Sequence, residues 1–165
     1  MKMNQAKIDE KFMKEALKEA KVSLKNGDWP IGSVLVLDGK IVARGYNEVY
    51  STPSKLAHAE LLLLGKAQSI LLENRNQCTL YTTSEPCPMC FGAIVLNRVK
   101  RLVFGIKENS GGTSLKKHFP PTLKQGHYDI EIESGVLADE CWDVFASGEP
   151  TQKLIKNDLI LKEYK

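Results

Sequence analysis

Two short runs of side chains, His58-Ala59-Glu60 and Pro86-Cys87-Pro88-Met89-Cys90, constrain this chain more than any other feature. Between them they offer one imidazole, two thiolates and one carboxylate that is not needed as a ligand. A catalytic zinc centre uses such a set, with three protein ligands and a fourth position open to water. If the runs share one ion, two stretches distant in sequence must converge at one edge of the fold. Each run precedes a predicted helix, so two helix N-termini would have to meet there.

The pattern around these runs is that of an α/β domain. Phe12, Ala16, Ala20 and Leu24 recur every four residues, which predicts an amphipathic helix over residues 8–26, closed by Asn26-Gly27-Asp28. Ser33-Val34-Leu35-Val36-Leu37 is a short apolar run suited to a strand buried on both faces. Asp38-Gly39 signals a hairpin turn, with Ile41-Val42-Ala43 returning antiparallel. A helix is expected from His58 to about Gln68 and a strand over Thr79–Thr83. A second ligand-bearing helix should run to about Leu96, with Pro86 or Pro88 in its first turn. Arg101–Gly105 reads as a strand, Ile130-Glu131-Ile132 as a weaker alternating one, and Ala138–Phe145 as a helix. Residues 107–127 are polar, with Gly111-Gly112 and Pro120-Pro121, and read as a loop with little regular structure. Strands separated by helices point to a three-layer domain in which both metal-binding runs lie at strand-to-helix junctions.

Spacing supports the shared ion. Cys87 and Cys90 are three apart and fall on one side of a helical turn. His58 and Glu60 are two apart, and both reach one point only if it lies over the helix N-terminus, toward which side chains tilt. Zinc there would lower the pKa of a bound water to about 7. Glu60 would then carry the proton, a role worth about 10²–10⁴-fold in rate. Cys-Pro-Met-Cys taken alone also suits a thioredoxin-like redox pair, and a zinc-binding interaction protein would leave Glu60 without a purpose. Cys78 and Cys141 read as core residues. His118 and His127 read as surface residues, and Arg98, Lys100 and Arg101 as a solvated basic face.

A chain of 165 residues fits a single domain, with a core over 8–145 and a tail from 151. The net charge of +3 does not by itself imply nucleic-acid binding. The longest aliphatic run is Leu61–Leu64, far short of the roughly 20 apolar residues of a membrane span. With no secretory h-region, and two of the cysteines in a Cys-x-x-Cys, a cytoplasmic metalloprotein is expected.

The motif His-x-Glu followed by Pro-Cys-x-x-Cys resembles that of zinc-dependent base deaminases. The chain is similar to the cytidine deaminase superfamily over about residues 8–145, in the branch of tRNA adenosine, guanine and cytosine deaminases. Pro30-Ile31-Gly32, Gly45-Tyr46-Asn47, Leu80-Tyr81-Thr82 and Glu85-Pro86-Cys87 stand in family-like order. The resemblance implies a three-layer α/β/α fold around a five-stranded mixed sheet, a homodimer, and Zn²⁺ held by His58, Cys87 and Cys90, with Glu60 catalytic. It also implies that Asn47 hydrogen-bonds the base, that Ile31 lines the pocket, and that the backbones of Ala59 and Glu85 contact the ring and the leaving amine. Val136–Cys141 and Val103-Phe104-Gly105 resemble the tRNA enzymes, whereas Glu85–Ile94 is at least as similar to guanine deaminases. Ser54-Lys55-Leu56-Ala57, the stretch Lys107–Leu115 and the lack of an arginine-rich C-terminal ending depart from the tRNA pattern. The expected substrate is a free nucleobase or nucleoside, with tRNA adenosine, converted to inosine at the wobble position, as the alternative.

The tail carries Leu154, Ile155, Leu159, Ile160, Leu161 and Tyr164 after Gly148-Glu149-Pro150. That apolar content predicts docking, since disordered tails are poor in aliphatic residues. A lid over the pocket mouth and a cover on the outside of the sheet are equally open.

Overall fold

Alternation along the central strands sorts the core into two layers. In the computed structural model, which describes residues 4–109, 111–124 and 129–156, β1 (Gly32–Leu37) sends Val34 and Val36 to one face and Leu35 to the other. In β3 (Thr79–Ser84) Tyr81 shares the first face and Leu80 the second. In β4 (Arg101–Ile106) Val103 opposes Leu102 and Phe104 in the same way. Both faces are therefore buried, as the apolar run 33–37 predicts.

The first layer is α1 (Gln5–Lys25) with α6 (Ala138–Ala146), packing Phe12, Met13, Ala16, Cys141 and Phe145 onto the sheet. The opposite layer is α2 (Ala59–Lys66), α3 (Gln68–Glu73) and α4 (Pro88–Leu96), contributing Leu63, Leu71, Phe91 and Ile94. Each such fully buried side chain contributes about 1.5–3 kcal/mol relative to exposure. The sheet order is β2-β1-β3-β4-β5, with β2 at Lys40–Tyr46 and β5 at Glu131–Ser134. β1 is antiparallel to β2 and to β3, and β3, β4 and β5 are parallel. The sheet is thus the five-stranded mixed sheet expected. Asp38 (φ 50°) and Gly39 (φ 72°) both adopt positive φ in the β1–β2 turn, as a two-residue hairpin of the primed type requires.

Four features differ from the sequence expectation. The helix after His58 does not end at Gln68: Ala67 has non-helical backbone (φ −101°, ψ 11°) and a separate α3 follows. The stretch 107–127 contains a 3-10 helix at Gly112–His118 and the short α5 at Pro121–Lys124, held by packing of Leu115 and Phe119 on the core. Such contacts leave no periodic trace in a polar sequence. Gly148 does interrupt the C-terminal helical run, but α7 (Glu149–Lys156) starts at once, with Pro150 in its first turn, where it is tolerated.

Arg101, finally, does not belong to a solvated basic face. Its guanidinium pairs with both oxygens of Asp9 at 2.7 and 2.8 Å, and the Tyr81 hydroxyl donates to the same carboxylate at 2.9 Å. Cys78 and Cys141 are buried and His118 is exposed. His127 and the tail residues Leu159, Ile160, Leu161 and Tyr164 lie outside the described residues.

Candidate active site

Four chain segments leave the sheet at the same edge. Gly32 pairs with Tyr46, Ser33 with Thr82, and Ser84 with Ile106. That register brings Ile31 before β1, Asn47 after β2, Glu85 after β3 and Glu108 after β4 to one rim. These residues line a cavity of about 400 Å³, together with Trp29, Val49, Lys55, His58, Glu60, Cys87, Gly111, Phe145 and Leu154.

Two helix starts deliver the metal donors. His58 is the N-cap residue of α2, in extended conformation, and Cys87 is the N-cap residue of α4, with Pro88 following at the first helical position. The first turn of α2 can sit low on the sheet because residue 45 is glycine. A Cβ there would overlap the Ala59 carbonyl and come within 2.9 Å of Leu63 Cβ. The donor atoms of His58, Cys87 and Cys90 all lie within 4.8 Å of one another. His58 Nδ1 is 3.7 Å from Cys87 Sγ and 3.5 Å from Cys90 Sγ. Tetrahedral zinc, with Zn–S near 2.3 Å and Zn–N near 2.0–2.1 Å, needs N···S separations of about 3.6 Å. The residues fit the ion in donor type and in spacing.

Proton sharing within the trio reflects that closeness. Cys87 is pushed down to about 4, chiefly by the hydrogen bond from Cys90, which outweighs burial, with His58 assisting. Cys90 is pushed up by its bond to Cys87 and by burial. His58 is held above its ordinary value, first by its bond with Cys87. Metal binding requires the thiolates and the neutral imidazole, so it would release these protons.

Glu60 sits one residue inside α2, 4% exposed, and burial raises its pKa. Its Oε1 accepts from Thr82 Oγ1 at 3.3 Å, and Thr82 accepts in turn from the Ser33 hydroxyl at 3.0 Å. Asn47 is 2% exposed. Its Oδ1 accepts from Val49 N–H at 3.1 Å, which leaves the amide nitrogen as its donor. Ile31 and Glu85 lie in the cavity wall, whereas Ala59 is fully buried and outside the lining.

Several lining residues were not read from the sequence. Trp29, Phe145 and Leu154 form an apolar side of the cavity. Trp29 and Phe145 stack with ring centroids 6.0 Å apart. Glu108 enters from the loop after β4, its carboxyl bound by the Ser84 hydroxyl and its pKa raised by burial. The available signal was the run Thr82-Thr83-Ser84, three successive small hydroxyl side chains at the buried end of the strand.

An α/β/α domain that gathers one imidazole and two thiols at paired helix N-termini, beside a buried carboxylate, defines a zinc hydrolase centre. Over residues 6–106 the chain matches the cytidine and deoxycytidylate deaminase zinc-binding region. It is 44% identical over 134 residues to a tRNA-specific adenosine deaminase of Bacillus subtilis, covering 81% of this chain and 83% of that one. A tRNA-specific adenosine deaminase of Haemophilus influenzae is 40% identical over 139 residues, covering 82% and 80%. Among solved structures, one from work on A-to-I editing by tRNA:A34 deaminases superposes with a TM-score of 0.72 at 33% identity, covering 81% of this chain and 98% of that one. A guanine deaminase of Nitrosomonas europaea shares the fold, with a TM-score of 0.66 at 24% identity, covering 82% and 81%. The chain belongs to the cytidine and deoxycytidylate deaminase zinc-binding family, and it is a zinc-dependent hydrolase of the nucleobase and nucleoside deaminase class.

Proposed function

We propose that this protein deaminates adenosine in tRNA, forming inosine at the wobble position. The observation that carries this is similarity over four-fifths of the chain to enzymes named for that reaction. The free nucleobase or nucleoside expected from the sequence shares this deaminase chemistry, and the names of the relatives favour its alternative, tRNA adenosine.

His58, Cys87 and Cys90 hold the zinc in this reading, and zinc when bound supplies a water acidified to about pKa 7. Glu60 would take a proton from the attacking water and deliver it to the ring nitrogen beside the amino-bearing carbon. That carbon forms its new bond to oxygen. Glu60 then takes the proton of the newly added hydroxyl and passes it to the amine, the carbon–nitrogen bond breaks, and ammonia leaves as the carbonyl forms. The Asn47 amide orients the base and Ile31 packs against it. The backbone of Glu85, in the cavity wall, faces the leaving amine. Burial raises the Glu60 pKa, and that environment suits a carboxyl that both takes and gives a proton.

A homodimer in the cytoplasm completes the proposal. Four free cysteines suit a reducing compartment. Leu96 of α4 and Leu72 of α3, each 61% exposed, offer the apolar surface that a subunit contact buries. Among the described residues no helix is long and apolar enough to cross a membrane.

One observation favours a free base instead. Leu154 of α7 adds an apolar side chain to the cavity wall beside the cavity residues Phe145 and Trp29, a lining suited to a small base, whereas an anticodon loop needs an open groove. Ammonia release decides between them, measured on an anticodon stem-loop bearing adenosine and on guanine, cytosine, adenine and their nucleosides. Turnover of the stem-loop that weakens with salt is expected. Turnover of a free base with none on the stem-loop would overturn the tRNA assignment.

A further inference from the structure

The side chain of Glu85 reaches into the loop that follows β4. Its Oε2 accepts the Glu108 backbone N–H at 2.9 Å, and its Oε1 accepts both the Thr113 backbone N–H at 3.3 Å and the Thr113 hydroxyl. The loop lies hard against this carboxylate, since a Cβ on Gly111 would overlap it. A second tie runs in parallel. Gly112 N–H donates to the Pro86 carbonyl at 2.7 Å, and a Cβ on Gly112 would stand 2.7 Å from the Cys87 carbonyl. Ser84, just before Glu85, donates to the Glu108 carboxyl. Residues 84–86 thus hold Glu108, Gly112 and Thr113, and Glu108, together with Gly111 packed on the Glu85 carboxylate, forms cavity wall.

We propose that Glu85 is a positioning residue whose carboxylate locks Glu108, Gly111 and Thr113 to the β3–α4 junction, so that the wall facing the substrate is formed before substrate arrives. The proposal rests on the cavity being the substrate site. A carboxylate suits the position because it can accept from all three donors at once, whereas a glutamine amide has one acceptor oxygen and would turn an N–H toward a donor. A loop ordered in advance costs nothing to order at binding, so the benefit falls on affinity. Zinc capture does not depend on it, since no donor atom of the trio belongs to the loop.

The test uses Glu85→Gln, Thr113→Val and the double variant of the full chain. Thr113→Val keeps the side-chain shape and removes only the hydroxyl. Backbone amide exchange at Glu108 and Thr113 needs no substrate, and it should accelerate in Glu85→Gln with zinc content unchanged. KM is read on whichever of the stem-loop and the free bases the wild type deaminates. Each single variant should raise KM about tenfold, the loss of one charge-assisted hydrogen bond. The fall in kcat should be smaller than the rise in KM. The double variant should be little worse than either single one, because both remove the same contact. Unchanged amide exchange, unchanged KM or fully additive effects would each overturn the proposal. Zinc loss by Thr113→Val would also overturn it, since the loop would then be supporting the metal site. Failure of the wild type on the stem-loop would remove the tRNA assignment and leave this test standing.

Discussion

Thr82 Oγ1 lies 3.3 Å from Glu60 Oε1 and donates to it, while the same hydroxyl accepts from Ser33 at 3.0 Å. The carboxyl of α2 is thereby tied to β3 and β1, and its orientation toward the cavity is set by the sheet. Glu60→Gln keeps the size and the acceptor oxygen but cannot carry a proton. It should fold and retain one zinc per chain while losing about 10²–10⁴-fold in turnover. Thr82→Val should cost less, about tenfold, the worth of one hydrogen bond to a charged group. Single-turnover kinetics with metal analysis of both variants checks the order, and near-normal turnover by Glu60→Gln would mean that another group moves the proton.

The metal site is a prediction about three side chains and one ion. His58→Ala or Cys87→Ser removes a donor from a three-ligand set and should abolish stoichiometric zinc. Chelation of the wild type should release the ion and end activity, and returning zinc should restore it. Full zinc retention by both variants would refute the ligand set.

Arg101 and Asp9 are 92 positions apart and form a two-pronged pair whose side chains are 15% and 4% exposed. Burial pushes the Asp9 carboxyl up, but hydrogen bonds from Arg101, Gln5 and Tyr81, with the Arg101 charge, overcome it and hold its pKa below the ordinary value. The lowered folded-state pKa means that the stabilisation is fully present above the unfolded value near 3.9 and is lost as pH falls through the folded one. Arg101→Leu strands a buried carboxylate and should cost about 3–5 kcal/mol at neutral pH. Asp9→Asn should flatten the acid limb of the stability curve below about pH 4. Urea denaturation at stepped pH reads both.

These cases show which parts of the molecule a sequence can disclose. Local chemistry was readable: Asp38-Gly39 needs only its own backbone to announce a hairpin, and the strand 33–37 needs only its apolar run. The zinc donors were readable because each sits in a short motif that opens a helix. The Arg101–Asp9 pair was not, since nothing near Arg101 marks a partner so distant in the chain, and two neighbouring basic residues suggested solvent instead. Neither was the grip of Glu85 on Glu108 and Thr113, because its acceptors meet backbone amides, which every sequence possesses.

Lys55 follows from the same limit. Among the described residues it is the one lysine or arginine lining the cavity, in a lead-in to His58 that departs from the tRNA-enzyme pattern. Under the tRNA assignment it should meet a phosphate beside the target nucleoside. Lys55→Gln should reduce the slope of log affinity against log salt by about 1 for the stem-loop. Deamination of an uncharged nucleoside, where detectable, should change far less. An unaltered slope would remove Lys55 from the contact.

The C-terminal helix offers the sharpest division between a lid and a cover. Leu154 lines the cavity with Phe145 and Trp29, and Ile155 beside it is half-buried. The described part of α7 therefore reaches the pocket mouth, and Leu154 is placed to pack on a bound base. Leu154→Ala removes part of one apolar side chain, worth about 1–2 kcal/mol of burial, and should raise KM about five- to thirtyfold. Zinc content should not change, because Leu154 contributes no donor. Ending the chain after Pro150 removes the same side chain together with the rest of the tail, and should raise KM at least as far while the domain keeps its metal. If the truncated protein keeps its KM, or if it loses zinc and aggregates, α7 is structural cover for the core and the apolar wall of the site ends at Phe145.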